Sequence, residues 1–231
     1  MKTTINRSDL YRFERLVSKL VKPSELPANV MFASCSDGLM IAAFCHDAVL
    51  TFTVPSKEIV DPFMLPWLLV KEFSAKKNDS IEVDVSGKSV TLCWDASGIP
   101  QRKILESVGI GNNRLSLVPE STASHPMTIF DALVDASKCV DSDNARYSLA
   151  SICLRGGKSQ IISTGGRQAL IQDGFSFPFC DDVLCPVSRI FGSKELREID
   201  DAVKIGVDGD FMYFHVGNVN FWLRKVEGKF P

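Results

Sequence analysis

Residues 63–73 read Phe-Met-Leu-Pro-Trp-Leu-Leu-Val-Lys-Glu-Phe, and residues 183–196 read Val-Leu-Cys-Pro-Val-Ser-Arg-Ile-Phe-Gly-Ser-Lys-Glu-Leu. In each stretch an apolar run leads to a proline, which suits the first turn of a helix because its missing N–H is not needed there. An alternating strand pattern follows in both copies, at residues 81–85 and 203–207. Because the two copies are about 120 residues apart, the repeat predicts two similar domains.

A shorter period lies inside each copy. Helix starts are predicted near Ser8, Pro66, Thr128 and Pro186. Each start is followed by short segments in which apolar and polar residues alternate, as they do in half-buried strands. This pattern favours an α+β fold, in which each domain packs two helices on antiparallel sheets and is itself built from duplicated helix-plus-meander halves.

The composition supports two globular domains. The chain has 231 residues, of which 45% are hydrophobic, and this is enough for a sizeable core. The predicted domains are residues 1–118 and 125–231, joined by a linker at 119–124 that contains Pro119. A helix that crosses a membrane needs about 20 consecutive apolar residues, and the chain has no such run, so no membrane partner is predicted.

The cysteines predict a reducing compartment. There are seven of them, most stand in apolar runs, and none forms a C-x-x-C pair. An odd number of thiols without metal-ligand spacing is typical of reduced core residues in a cytoplasmic protein. The sequence therefore predicts a cytoplasmic location and no structural zinc.

Basic residues follow one face of the first predicted helix, residues 8–22. The four cations on this face, away from the apolar positions, are Arg12, Arg15, Lys19 and Lys22. Such a stripe suits the phosphates of a nucleic acid, although an ordinary solvated face is the alternative and the net charge of −2 gives no bulk signal. The second and fourth predicted helices carry further cations, namely Lys71, Lys76, Arg189, Lys194 and Arg197.

No motif predicts catalysis. The Gly-Lys-Ser tripeptides at 87–89 and 157–159 lack the upstream glycine of a P-loop and fall between predicted strands. His46, His125 and His215 are spread over both halves without metal-ligand spacing. We therefore predict no cofactor, no metal and no enzymatic activity. A small enzyme with a Cys-His site assembled only in space is the alternative that the sequence leaves open.

The second half carries a recognisable succession of motifs, at residues 143–149, 161–169, 183–186 and 223–231. It resembles the middle domain of the bacterial sliding clamp, the beta subunit of DNA polymerase III. That family typically has an R-Y-x-L strand, an A-T-D-G-H-R-L-A segment, a V-P-x-K helix start and a terminal K-L-x-[DE]-G-[RK]-F-P-D-Y. The first half resembles the family's first domain at Leu26-Pro27, Ser36-Asp37-Gly38, residues 63–66 and Ile104-Leu105.

The resemblance implies a function without chemistry. The family forms a ring of six such domains around duplex DNA, with helices lining the hole, and so acts as a processivity factor in DNA replication. The resemblance assigns the helix cations to sequence-independent contacts with duplex DNA and adds Arg146 and Tyr147. The family's third domain is absent from this chain. The implied homo-oligomer is a trimer if the chain is complete and a dimer if it is a fragment of a three-domain chain.

The resemblance also implies a pocket for short peptides of DNA polymerase and the clamp loader. Leu149, Thr164 and Gly166 match the middle-domain part of that pocket, and Arg167 is placed beside them. Residues 165 and 167–169 depart from the family's pattern, which implies altered partner specificity. The alternative function is a divergent clamp-fold module that binds proteins and does not encircle DNA.

Overall fold

The computed structural model describes residues 1–77, 79–107, 118–141 and 149–231. The chain divides into two compact units. The first comprises Met1–Ser18, Lys22–His46 and the described part of Leu50–Arg114. The second comprises Lys19–Val21, Asp47–Val49 and the described part of Leu115–Pro231. Both consist of antiparallel strands with a few short helices, which confirms the predicted α+β class.

The described part of the first unit contains eight strands and two α-helices, although the end of the first helix (Lys19 and Leu20) and the start of the fourth strand (Ala48 and Val49) are grouped with the second unit. These elements are β1 (Lys2–Asn6), α1 (Arg7–Leu20), β2 (Asn29–Cys35), β3 (Gly38–Phe44), β4 (Ala48–Val54), β5 (Phe63–Pro66), α2 (Trp67–Phe73), β6 (Ser80–Ser86), β7 (Ser89–Ala96) and β8 (Ile99–Glu106). The strand orders are β1-β6-β7-β8 and β5-β2-β3-β4. Alternation along the strands buries one face of each sheet, as at Ile5, which lies opposite Ile81.

The apolar stripe of α1 supplies much of the first core. Leu10, Phe13, Leu16 and Val17 recur at helical spacing, and all four are buried. Because the sequence keeps these positions apolar and the others polar, α1 has one face for the core and one for solvent. The amphipathic pattern therefore determines which side chains of α1 are available for binding.

The two edge strands of the β1-β6-β7-β8 sheet, β1 and β8, differ in the contacts of their outer sides. On the outer side of β1, the Thr4 N–H donates to Glu58 Oε2 at 2.9 Å. Strand β8 is the other edge, and within the described ranges no strand pairs with its outer side. Its residues Ile99 and Ile104 are 61% and 60% exposed. Glu58 thus satisfies one outward N–H of the β1 edge, whereas β8 carries exposed isoleucines.

The second unit has the same content. Its elements are β9 (Thr122–His125), α3 (Ile129–Lys138), β10 (Ser151–Arg155), β11 (Gln160–Thr164), β12 (Ala169–Asp173), β13 (Asp182–Pro186), α4 (Lys194–Arg197), β14 (Val203–Asp208), β15 (Phe211–Val216) and β16 (Val219–Arg224). The strand orders are β12-β11-β10-β13 and β16-β15-β14-β9. Its core centres on four fully buried rings with centroids 4.8 to 6.4 Å apart, those of Phe130, Phe191, Phe214 and Phe221.

The predicted fourth helix is wrong in start and extent. Pro186 is the last residue of β13, and a 3-10 turn at Arg189–Gly192 precedes the single turn of α4. The Ser188 hydroxyl caps the 3-10 turn by accepting from the Ile190 N–H at 3.4 Å. Ser193 then adopts an extended conformation, with φ −70° and ψ 128°, which interrupts the helix. The other three helices begin within one residue of their predicted starts.

Two smaller expectations also need correction. The predicted linker residues 122–124 lie in β9, which pairs with β14. All seven cysteines are free thiols, as expected, but only Cys153 and Cys185 are buried, whereas Cys35 and Cys180 are exposed. Cys35 is exposed because it ends β2 at a turn. Over the described ranges, no helix is both long enough and apolar enough to span a bilayer.

Candidate nucleic-acid and peptide interfaces

The predicted basic stripe is only partly presented to solvent. Arg15 on α1 is exposed, and so is Lys22, which stands after the helix end rather than within it. Both are placed by the amphipathic pattern of α1, because the buried stripe leaves the opposite side to polar residues. These two are the exposed cations of the stripe.

Arg12 does not point away from the core as predicted. Its guanidinium carbon lies 5.8 Å from the centroid of the Phe52 ring, and its buried Nε has no hydrogen-bond partner. A long basic side chain beside an apolar stripe can pack its stem on the core and stack its head on an aromatic face. Arg12 therefore helps to cover the core in this conformation.

Lys19 forms an ion pair within the second unit, to which Lys19–Val21 belong. Its ammonium lies 2.8 Å from Glu195 Oε2, and the Ser193 hydroxyl donates to the same oxygen at 2.6 Å. Burial would raise the pKa of Glu195, but the hydrogen bonds from Lys19 and Ser193 lower it to about 2. A phosphate would have to compete with this carboxylate for Lys19.

Some of the other residues predicted to contact DNA are exposed, and others have partners within the protein. Lys71 and Lys194 are exposed, and the Lys76 ammonium lies 5.7 Å from the centroid of the Tyr11 ring. Arg197 pairs with Asp131 at 2.7 Å. The exposed Arg189 donates to the Val21 carbonyl oxygen at 3.3 Å, and Arg146 and Tyr147 lie outside the described residues.

The predicted peptide-pocket residues lie on two segments that both contact the 139–141 segment. The Asp141 N–H donates to the Leu149 carbonyl oxygen at 3.4 Å, so the described ends of this connection are adjacent. Gly165 packs against the same segment, since a Cβ there would lie 3.0 Å from the Cys139 carbonyl oxygen and 3.5 Å from Asp141 Cβ. Half-buried Leu149 and Gly165 thus both neighbour Asp141.

The 164–167 loop is held by Thr164. Its hydroxyl donates to the Gln168 carbonyl oxygen at 2.8 Å and accepts from the Gly166 N–H at 3.1 Å. Gly166 has φ +82°, a backbone conformation that a side chain would strain. Arg167 follows on the exposed tip of the loop. The turn itself therefore favours glycine at 166, whatever the loop binds.

An aromatic cluster lies outside every sequence prediction. Phe175, Phe177 and Phe179 stack in succession, with centroids 6.2 and 5.3 Å apart. His125 lies 6.4 Å from Phe175 and 5.7 Å from Phe177, and it is buried. The alternation of phenylalanine with other residues over 175–179 is a signal that could have indicated a one-sided apolar segment.

The described side chains include no group of three or more His, Cys, Asp or Glu residues arranged to hold a metal ion. The histidines also differ in setting. His215 Nδ1 lies 2.8 Å from Asn220 Oδ1, which also accepts a hydrogen bond from the Tyr213 hydroxyl at 2.7 Å. His125 is covered by the aromatic cluster. Neither contact pairs a histidine with a cysteine.

Two α+β units with helices and antiparallel sheets of this order define a clamp-like fold, and comparisons with solved structures agree. The chain matches the DNA polymerase III subunit beta from Pseudomonas aeruginosa with a TM-score of 0.78 and 20% identity, over 100% of this chain and 66% of that one. It matches a Helicobacter pylori beta clamp bound to a DNA ligase peptide with a TM-score of 0.77 and 13% identity, over 100% and 68%.

A Pseudomonas aeruginosa sliding clamp bound to griselimycin matches equally well, with a TM-score of 0.78 and 18% identity over 66% of its length. The chain thus spans about two thirds of the clamp chains that it resembles. No protein-family model and no curated protein sequence matches it. The similarity is therefore one of fold, over the whole of this chain.

Proposed function

We propose that this protein is a non-enzymatic, sliding-clamp-like factor of the cytoplasm that holds a DNA polymerase at duplex DNA. The observation that supports it most is the clamp fold over all of the chain at a TM-score of 0.78. A tether of this kind needs no reactive side chain, because it acts by raising the local concentration of the enzyme that it holds.

The DNA interface that we propose is smaller than the sequence predicts. Its cations are Arg15, Lys22, Lys71, Lys76 and Lys194, to which Arg146 and Tyr147 are added by the resemblance alone. These five side chains are exposed, whereas those of Arg12, Lys19 and Arg197 are half-buried against other groups of the protein. Arg189 is exposed but donates to a backbone carbonyl oxygen. Contacts to phosphates of this type carry no base preference, which sliding requires.

Peptide docking is the second part of the proposal. Its residues are those that the resemblance assigns, namely half-buried Leu149 and the loop residues Thr164, Gly166 and Arg167 of the second unit. A solved structure with the same fold is described as a beta clamp bound to a DNA ligase peptide. By analogy we propose that these residues take short peptides of polymerase and clamp-loader proteins.

Retention on closed circular duplex DNA tests the DNA-tethering proposal. The variant Arg15→Glu/Lys22→Glu should bind duplex DNA at least ten-fold more weakly, and its affinity should fall less steeply with salt, because two phosphate contacts are replaced by repulsion. The matched control is Lys57→Glu/Lys88→Glu, which makes the same charge change at exposed loop positions. Equal loss in both variants would contradict a DNA interface on α1.

A protein-binding module that does not encircle DNA is the second candidate. Its support is electrostatic, since Lys19 and Arg197 are neutralised by Glu195 and Asp131, and the net charge is −2. If the chain binds peptides but is released from circular DNA at about the same salt as from linear DNA, this function replaces the first.

A further inference from the structure

A cavity of about 560 Å³ opens in the second unit, where β13, the β14–β15 turn and the chain after β16 meet. This volume is within the range that holds a small ligand or a few side chains of a peptide. Among the described residues, none of the predicted DNA contacts and none of the predicted peptide-pocket residues lines it. The cavity is therefore a separate feature of the molecule.

One side of the cavity is apolar. Leu184, which is 4% exposed, packs with Cys153 and Ile162 in a small buried cluster, and Val226 covers that cluster. Phe179, the last ring of the aromatic cluster, also lines the cavity. These side chains form a surface on which an apolar side chain of a ligand would lose contact with water.

The lining of the cavity also carries an excess of carboxylates. Four line the cavity, and they are Asp181, Asp182, Asp210 and Glu227. Asp182 is paired with Arg155 at 3.2 Å, and the lining Arg224 is paired with Asp47 at 2.9 Å. Lys225 is then the cation that remains to offset three carboxylates. The field in the cavity favours a positively charged group.

The walls are held in place by backbone contacts. The Lys225 N–H donates to the Asp210 carbonyl oxygen at 2.7 Å, and the Val226 N–H donates to that of Leu184 at 2.9 Å. On the other side Gly156 lies so close to Phe179 that a Cβ would be 1.9 Å from the Phe179 carbonyl oxygen. A site whose walls are already ordered loses little entropy when it binds.

We propose that this cavity docks a peptide segment of a partner protein in which a lysine or arginine stands next to a leucine-sized apolar residue. The apolar side chain lies on Leu184, Val226 and Phe179. The cation lies among Asp181, Asp210 and Glu227, whose negative charges outnumber the one remaining lining cation, Lys225. The proposal is independent of DNA tethering, because it uses none of the residues assigned to DNA.

Fluorescence anisotropy with a labelled, end-blocked Ala-Leu-Lys-Lys-Leu-Ala peptide tests this inference on the full chain. We expect saturable binding, and we expect Asp210→Asn/Glu227→Gln to weaken it by about ten-fold, since two partly exposed charge contacts are lost. The matched control, Glu198→Gln/Asp200→Asn, removes the same charges at exposed positions that do not line the cavity. It should bind as the parent does.

Control peptides test the charged contacts and the apolar contacts separately. Replacing both lysines of the peptide by glutamate, or both leucines by serine, should each abolish binding. Equal weakening by the control protein variant would reveal general attraction to an acidic chain and overturn the proposal, as would the absence of saturable binding. A ¹⁵N NMR titration of the parent protein decides the matter even if the double variant does not fold. Shifts must cluster around 179–184 and 225–228, and shifts elsewhere refute the site.

Discussion

At His125 a titratable ring is packed beneath two phenylalanines. The residue is 6% exposed, its Nε2 has no hydrogen-bond partner, and Phe175 and Phe177 lie over it. Burial lowers the pKa of His125 below its usual 6.5, and a hydrogen bond with the Ser176 backbone opposes this only in part. The folded protein therefore holds this ring in its neutral form at pH 7.

The stability of the second unit should consequently depend on pH through His125. Because its folded pKa is below its unfolded pKa, the stabilisation is complete above about pH 6.5 and is lost as pH falls through the folded pKa, at up to about 1.4 kcal/mol per pH unit. Urea unfolding at pH 7, 6 and 5 measures this slope. His125→Phe should flatten it, and an unchanged slope in that variant would place the dependence on other groups.

The cations of α1 show what a sequence tells about single residues. The helical period correctly identifies the buried stripe and hence the polar side that carries Arg15. It cannot reveal that Lys19 finds its partner in Glu195, far along the chain. Nor can it show that Arg12, at the margin of the stripe, stacks on Phe52. Partners that are distant in sequence depend on the tertiary fold.

At the scale of elements, the alternation of apolar and polar residues is the most dependable predictor of strands. The strand pattern predicted at 203–207 is β14, which ends one residue later, at Asp208. Strand β1 was not predicted, because five residues with two buried positions give too short a pattern to stand out. The fourth helix was overestimated, since Pro186 is compatible with the end of a strand as well as with a helix start.

At the scale of elements, we predict that Leu149 is needed for peptide binding. Leu149→Asp should weaken binding of a labelled DNA ligase peptide by at least ten-fold, because an ionised carboxylate would have to be desolvated in the pocket. Anisotropy measures the affinity, and thermal unfolding checks that the variant is folded. Ile171→Asp, at a residue that is 58% exposed, serves as the control. Unchanged peptide affinity in Leu149→Asp would place the pocket elsewhere.

At the scale of the whole molecule, the internal repeat can be recognised in the sequence because both copies keep the same order of strands and helices. The predicted fold class followed from that order, and the comparison with solved clamps agrees with it. The sequence does not predict the cavity beside β13, because its walls come from three separate stretches of the chain that only the fold brings together.

Assembly is the prediction at this largest scale. If six clamp-like domains close the ring and each chain supplies two, residues 1–231 should form a particle of three times the chain mass of 25.5 kDa. Light scattering over a concentration series measures this mass. A single chain at every concentration would contradict a ring formed by these residues alone, and DNA retention would then have to be tested with a longer chain.

The open edge at β8 has a consequence for handling the purified protein. Its outer backbone groups and its exposed Ile99 and Ile104 form a template on which another chain can add as a strand. In a concentrated sample, β8 is accordingly where fibrous aggregates would nucleate, whereas one outward N–H of β1 is satisfied by Glu58. Pro100 and Arg102 interrupt and charge this edge, as proline and charged residues do on edge strands that resist pairing with another chain. Surface-engineering efforts aimed at crystallisation should leave them in place.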